Sequence, residues 1–139
     1  MLPRGIRNNN PLNIRIGNKW VGEVENPTDP DFEQFTSMLF GVRAGFVLIR
    51  RYIERYHLNT ISEIVSRWAP SSENNTSNYI RVLVERTGIG PLEKLDFGNR
   101  KQMVCLVDAM IFVECGTTIA NDIIERAYLM VAKPQKKML

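Results

Sequence analysis

Arg100-Lys101-Gln102-Met103-Val104-Cys105-Leu106-Val107-Asp108-Ala109-Met110-Ile111-Phe112-Val113-Glu114-Cys115-Gly116 is the stretch on which the reading of this chain turns. Met103, Val104, Val107, Met110 and Ile111 recur at three and four residues, the spacing of one helix face, and Gly116 is a helix stop. The predicted helix starts at Asn99 or Arg100 and ends at Cys115. Glu114 continues the stripe three and four residues past Ile111 and Met110, so a carboxylate ends an apolar face. Partial desolvation and the negative end of the helix both disfavour its charged form. A glutamate that keeps its proton near neutrality can serve as a general acid. A slight rotation of the helix would instead leave Glu114 a solvated last-turn residue, and periodicity alone leaves both readings open.

Working outward, Val42, Phe46, Ile49, Tyr52 or Ile53, and Tyr56 repeat at three and four with Arg50, Arg51, Glu54 and Arg55 opposite, which predicts an amphipathic helix. Thr60 followed by Glu63 is a capping box opening a short helix through Trp68, before Pro70. Thr76 is the expected cap of a helix that carries Tyr79, Ile80, Leu83 and Val84 and stops at Thr87-Gly88. Beyond Gly116 a last helix runs from Thr117 or Thr118 to about Val131. Residues 4–18 have loop chemistry. Ile14, Ile16, Trp20, Val21, Val24, Phe32 and Phe35, broken by Gly17-Asn18 and Asn26-Pro27-Thr28-Asp29-Pro30, predict a small β-hairpin or three-stranded flap. About five helices and one N-terminal hairpin make a mainly α (α+β) fold, expected as a single domain over 1–132 with a flexible basic tail at 133–139.

Composition narrows the functional classes. The 139 residues are 44% hydrophobic and 24% charged, ordinary for one globular domain, and 18 basic against 15 acidic residues give a net charge of +3. That mild bias suits a polyanionic partner without demanding one. No apolar run approaches the ~20 residues that span a bilayer, so membrane insertion is not expected. The polar start predicts no signal peptide, so work outside the cytoplasm would need another export route. Glu54 interrupts the Arg50, Arg51 and Arg55 cluster and the rest of the charge is mixed, which argues against nucleic acid as partner. Cys105 and Cys115 sit on one predicted helix ~15 Å apart, beyond the ~7 Å reach of a disulfide. With His57 as the one histidine and no Cys/His cluster, neither a metal nor a cofactor is expected. Trp20 and Trp68 read first as core residues. Glu23, Glu25, Asp29, Asp31 and Glu33 read as a solvated face of the hairpin, any one of which would supply a second carboxylate.

Arg4-Gly5-Ile6-Arg7-Asn8-Asn9-Asn10-Pro11-Leu12-Asn13-Ile14-Arg15, Trp20-Val21-Gly22, Phe32-Glu33-Gln34-Phe35, Gly41-Val42-Arg43-Ala44, and Arg67-Trp68-Ala69-Pro70 with Glu73-Asn74-Asn75-Thr76 and Tyr79 together resemble a family of small phage and prophage virion-associated proteins of the lysozyme-like superfamily. The likeness covers almost the whole chain. Where such proteins typically carry Pro-Gly-Asn, this chain has Pro11-Leu12-Asn13. Lysozyme-like transglycosylases ordinarily begin with a helix ending in Glu-x-Gly and follow it with an Asn-rich loop, a hairpin and further helices. Here Glu114-Cys115-Gly116 closes a late helix and the Asn-rich loop leads the chain, so the resemblance implies a circular permutation. Cys115 stands where Ser or Asn is common.

The resemblance implies a peptidoglycan-degrading enzyme, a lytic transglycosylase cleaving the β-1,4 bond between N-acetylmuramic acid and N-acetylglucosamine, with Glu114 as the catalytic acid and base. Asn8, Asn9, Asn10, Asn13, Trp20, Arg43 and Tyr79 are the residues expected to hold the glycan. Peptidoglycan strands are then the partner, with virion components a further class, and the protein would be made in the cytoplasm and reach the wall through a virion or another export route. The competing expectation is a noncatalytic virion or wall-binding protein of the same fold.

Overall fold

The computed structural model describes residues 1–72 and 74–132; the predicted basic tail at 133–139, like Glu73 in the loop after Trp68, lies outside the described residues. The elements are α1 (Arg4–Arg7), α2 (Met38–Glu54), α3 (Ile61–Trp68), α4 (Thr76–Thr87), α5 (Arg100–Cys115) and α6 (Asn121–Ala132), so the fold is mainly helical.

α5 is the hub, packing on α1, α4 and α6, while α2 lies along α6 and α3 bridges α2 and α4. Its apolar stripe is wider than one face: Leu106 and Ala109 are buried together with Met103, Val104, Val107, Met110 and Ile111. A helix buried nearly all round is a core element rather than an amphipathic surface one. Phe46 of α2 and Tyr128 of α6 meet edge-on with ring centroids 5.5 Å apart, and both pack against Phe97 just ahead of α5.

Most helix ends follow their local chemistry. Asn99 caps α5 through Gln102 N–H, and Gly88 and Gly116 take the left-handed conformation, φ +73° and +69°, that ends α4 and α5. The Thr60 hydroxyl accepts from Glu63 N–H, and the Glu63 carboxylate accepts from Asn59 N–H at 3.2 Å, closing the predicted capping box one residue early. The cap of α4 is a correction: Asn75, not Thr76, accepts from Asn78 N–H, and the Thr76 hydroxyl donates to the Ala69 carbonyl at 2.6 Å. α6 begins at Asn121, three or four residues later than predicted.

The flap differs more. Among the described residues it holds two isolated antiparallel bridges, Arg15 with Phe32 and Glu23 with Phe35, in place of a regular hairpin. Side chains rather than a ladder hold this segment. Asp29 accepts from Arg4 on both carboxylate oxygens, at 2.6 and 2.7 Å, and also from the Asn8 side chain and the Asp31 and Phe32 amides. The segment read as loop at residues 4–18 opens with the single turn of α1, and Asn9 and Asn13 carry φ of +53° and +52°. Asparagine tolerates that region because its short amide bonds the local backbone.

Candidate active site

The last turn of α5 delivers Glu114 to the place where the N-terminal loop, α4 and the end of α3 meet. Asn13, 101 residues away in the chain, donates its amide to Glu114 Oε1 at 2.9 Å, and the Tyr79 hydroxyl of α4 donates to Oε2 at 2.9 Å. Trp68, at the end of α3, is a third neighbour that favours the charged carboxylate. Burial nevertheless outweighs these donors: it raises the Glu114 carboxyl above its ordinary value, while Asn13, Tyr79 and Trp68 each oppose the rise by favouring the anion. Tyr79 is buried too and is held well above its ordinary value, first by desolvation and then by Glu114, so it stays an O–H donor. Each carboxylate oxygen has two lone-pair directions, so one donor apiece leaves room for a proton or a ligand.

The loop is clamped beside this group. The Cys115 thiol donates to the Pro11 carbonyl at 3.2 Å, and burial pushes it up to about 11, which keeps it protonated. A methyl group at Gly5 would stand 2.7 Å from Asn13 Oδ1 and 2.9 Å from Cys115 Sγ, so only glycine lets α1 come this close. A methyl at Gly41 would meet the Asn9 carbonyl oxygen at 1.8 Å, and one at Gly45 would meet Leu12. Leu12 is fully buried, so the leucine in Pro11-Leu12-Asn13 fills core space against α2.

The residues singled out by sequence fall into three groups. Glu114, Asn13 and Tyr79 come together. The side chains of Asn8, Asn9 and Asn10 hydrogen-bond within the flap and the N-terminal loop and not to Glu114. Asn10 is 0% exposed and ties Ile14 and Glu33 together through three hydrogen bonds of 2.9 to 3.0 Å. Asn8 is buried between Asp29 and Gln34, and Asn9 donates to the Phe35 carbonyl. Their amides satisfy backbone and side-chain groups that the irregular flap would otherwise leave unpaired. Trp20 and Arg43 form the third group: Trp20 packs half-buried on the core, and among the described residues neither side chain hydrogen-bonds Glu114 or its donors. Trp68, read as core, packs half-buried against it, edge-on to Tyr52 with ring centroids 6.0 Å apart.

Asn74, Asn75 and Asn78 went unremarked as binding groups, yet with Tyr79, Val113 and Glu114 they line a groove of about 230 Å³. The Asn75 and Asn78 oxygens are engaged by Asn78 N–H and Arg81, while their amide N–H groups have no partner among the described residues. Their spacing across a helix start was the available signal. The acids expected on a solvated face are not all solvated: Asp29 is held well below its ordinary range by Arg4, and Glu33 is 7% exposed. Burial and the adjacent Glu23 raise the Glu33 carboxyl. Among the described residues no His, Cys, Asp and Glu are grouped to hold a metal ion, and no helix is long and apolar enough to cross a membrane.

A helical domain with a half-buried, donor-held glutamate beside an amide-lined groove has a relative in a phage. The chain belongs to the family of Protein P5 of Pseudoalteromonas phage PM2, to which it is 43% identical over 118 residues, 82% of this chain and 72% of that one. No family model matches it.

Proposed function

We propose that this protein is a peptidoglycan-cleaving enzyme with a circularly permuted lysozyme-like fold, a lytic transglycosylase acting between N-acetylmuramic acid and N-acetylglucosamine. The observation that carries the reading is Glu114, raised in proton affinity by burial yet lining an amide-rich groove. Protonated Glu114 gives its proton to the glycosidic oxygen as the bond from the muramoyl C1 breaks. The carboxylate then takes the proton of the muramoyl 6-hydroxyl while that oxygen bonds C1, closing the 1,6-anhydro ring and restoring the acid. Asn13 and Tyr79 fix the carboxylate through both steps, and the Asn75 and Asn78 amides suit acetamido and hydroxyl groups.

Hydrolysis with two carboxylates needs a second acid at a set separation. Asp29 is committed to Arg4 and the flap amides and Glu33 is buried beside Glu23, which supports intramolecular attack over hydrolysis. The partner is the glycan strand of a bacterial wall, reached from the cytoplasm through a virion or another export route, as suits a phage family.

A groove of only about 230 Å³ favours a second reading, a noncatalytic virion or wall-binding module. Mass spectrometry of purified sacculi incubated with the protein separates the cases. Anhydromuramoyl ends support transglycosylation, reducing ends indicate hydrolysis, and an unchanged wall leaves the binding module.

A further inference from the structure

Trp68, a neighbour of Glu114, has a second neighbour. Its ring meets Tyr52 of α2, and Tyr52 lies under the guanidinium of Arg67, 5.7 Å from ring centroid to Cζ. Arg67 also sits 5.0 Å over Tyr56, and Arg55 covers that ring at 5.9 Å. Arg51 adds positive charge beside the Tyr52 hydroxyl. A basic, aromatic ledge thus runs outward from the candidate catalytic carboxylate, with Arg55, Tyr56 and Arg67 exposed.

Among the described residues no carboxylate pairs with Arg51, Arg55 or Arg67. The two acids closest in sequence are engaged elsewhere: Glu54 is bound to Arg50 at 3.0 Å, and Glu63 closes the cap of α3. Arg67 also lines a shallow groove of about 430 Å³ with Leu58, Ser62, Glu63 and Ser66. Guanidinium groups stacked on aromatic faces are pre-oriented and keep their N–H forks free for carboxylates.

We propose that this ledge binds the carboxylates of the peptide stems that hang from the glycan. The inference rests on the reading of the Glu114 groove as a glycan site, because a strand seated there carries a stem on each muramoyl unit, within reach of a neighbouring surface. The ledge is an accessory anion subsite, and it makes binding depend on the stems rather than on the sugars alone.

The test uses binding, so that it does not depend on turnover. Uncrosslinked glycan strands carrying stem peptides, and the same strands after amidase removal of the stems, are titrated against the Glu114→Gln chain with and without Arg55→Gln and Arg67→Gln. The ledge predicts about tenfold or more weaker binding of the stem-bearing strands in the double variant and no change for bare strands. Equal loss on both strands, loss on neither, or equal affinity of the intact ledge for both overturns it. So does an arginine-dependent affinity for phosphatidylglycerol vesicles with strand binding unaffected. Should the double variant unfold, Arg55→Gln alone, at the exposed end of α2, repeats the measurement with a smaller expected loss. Stem-dependent binding by a protein that cuts no wall would uphold the ledge and remove the enzyme reading.

Discussion

Glu114 is held between opposing influences, desolvation favouring its proton and three neighbours favouring its charge, and that balance sets its expected behaviour. Glu114→Gln is expected to lower glycan cleavage ~10²-fold or more with the circular-dichroism spectrum unchanged, because the amide keeps the volume but cannot exchange the proton. Cleavage within a factor of ten of the parent would remove Glu114 from the chemistry. Tyr79→Phe takes away one donor to the anion, so the carboxyl rises further and the alkaline limb of the pH–activity profile moves to higher pH. A limb that stays put or moves down contradicts the role of the 2.9 Å bond. The stripe through Met110 and Ile111 made Glu114 a candidate in the sequence, but spacing alone left a solvated last-turn residue equally open, and the contacts with Asn13 and Tyr79 decide between them. The separate fates of Asn10 and Asn13 were not legible. Both are asparagines in one loop, and only the tertiary partners decide that one braces the flap while the other reaches the carboxylate.

Helices were readable where stop residues and caps are local, as at Asn99, Gly88 and Gly116, and misread where two neighbours compete for one role. At the start of α4 both Asn75 and Thr76 are good caps, and the Ala69 carbonyl draws the threonine away. Asn75→Ala is therefore expected to cost about 1 kcal/mol in chemical denaturation, the usual worth of a lost N-cap. The flap misled because its alternating apolar residues suggest a ladder, whereas five hydrogen bonds to Asp29 curl the chain into turns. Contact between α2 and the N-terminal loop depends on Gly41. Alanine there gains about 1 kcal/mol of helix propensity, yet its methyl would meet a backbone oxygen at 1.8 Å, a clash the main chain must move to relieve. Overpacking of that kind costs about 1–3 kcal/mol or more, so Gly41→Ala is expected to lower the melting temperature by several degrees. An increase would show that the loop yields freely.

Across the molecule, the perturbed acids give stability a dependence on pH from both sides. Glu33 and Glu114 keep protons in the folded state that the unfolded chain has released, so their contribution is full below the ordinary glutamate range and lost as pH rises through the folded values. Asp29 is shifted the other way by Arg4; its contribution is present above the ordinary aspartate range and lost as pH falls below it. Melting temperature against pH should pass through a maximum at weakly acidic pH. Glu33→Gln should flatten the decline on the high side, and an unaltered slope there would mean that Glu33 titrates normally. The bond from Asn13 to Glu114 also has a consequence in time. A ribosome adding ~5–20 residues per second needs ~5–20 s to make the 101 residues between them. Throughout that interval a nascent chain carries the loop without its carboxylate, so a message cut short anywhere before Glu114 yields a chain that cannot assemble the site.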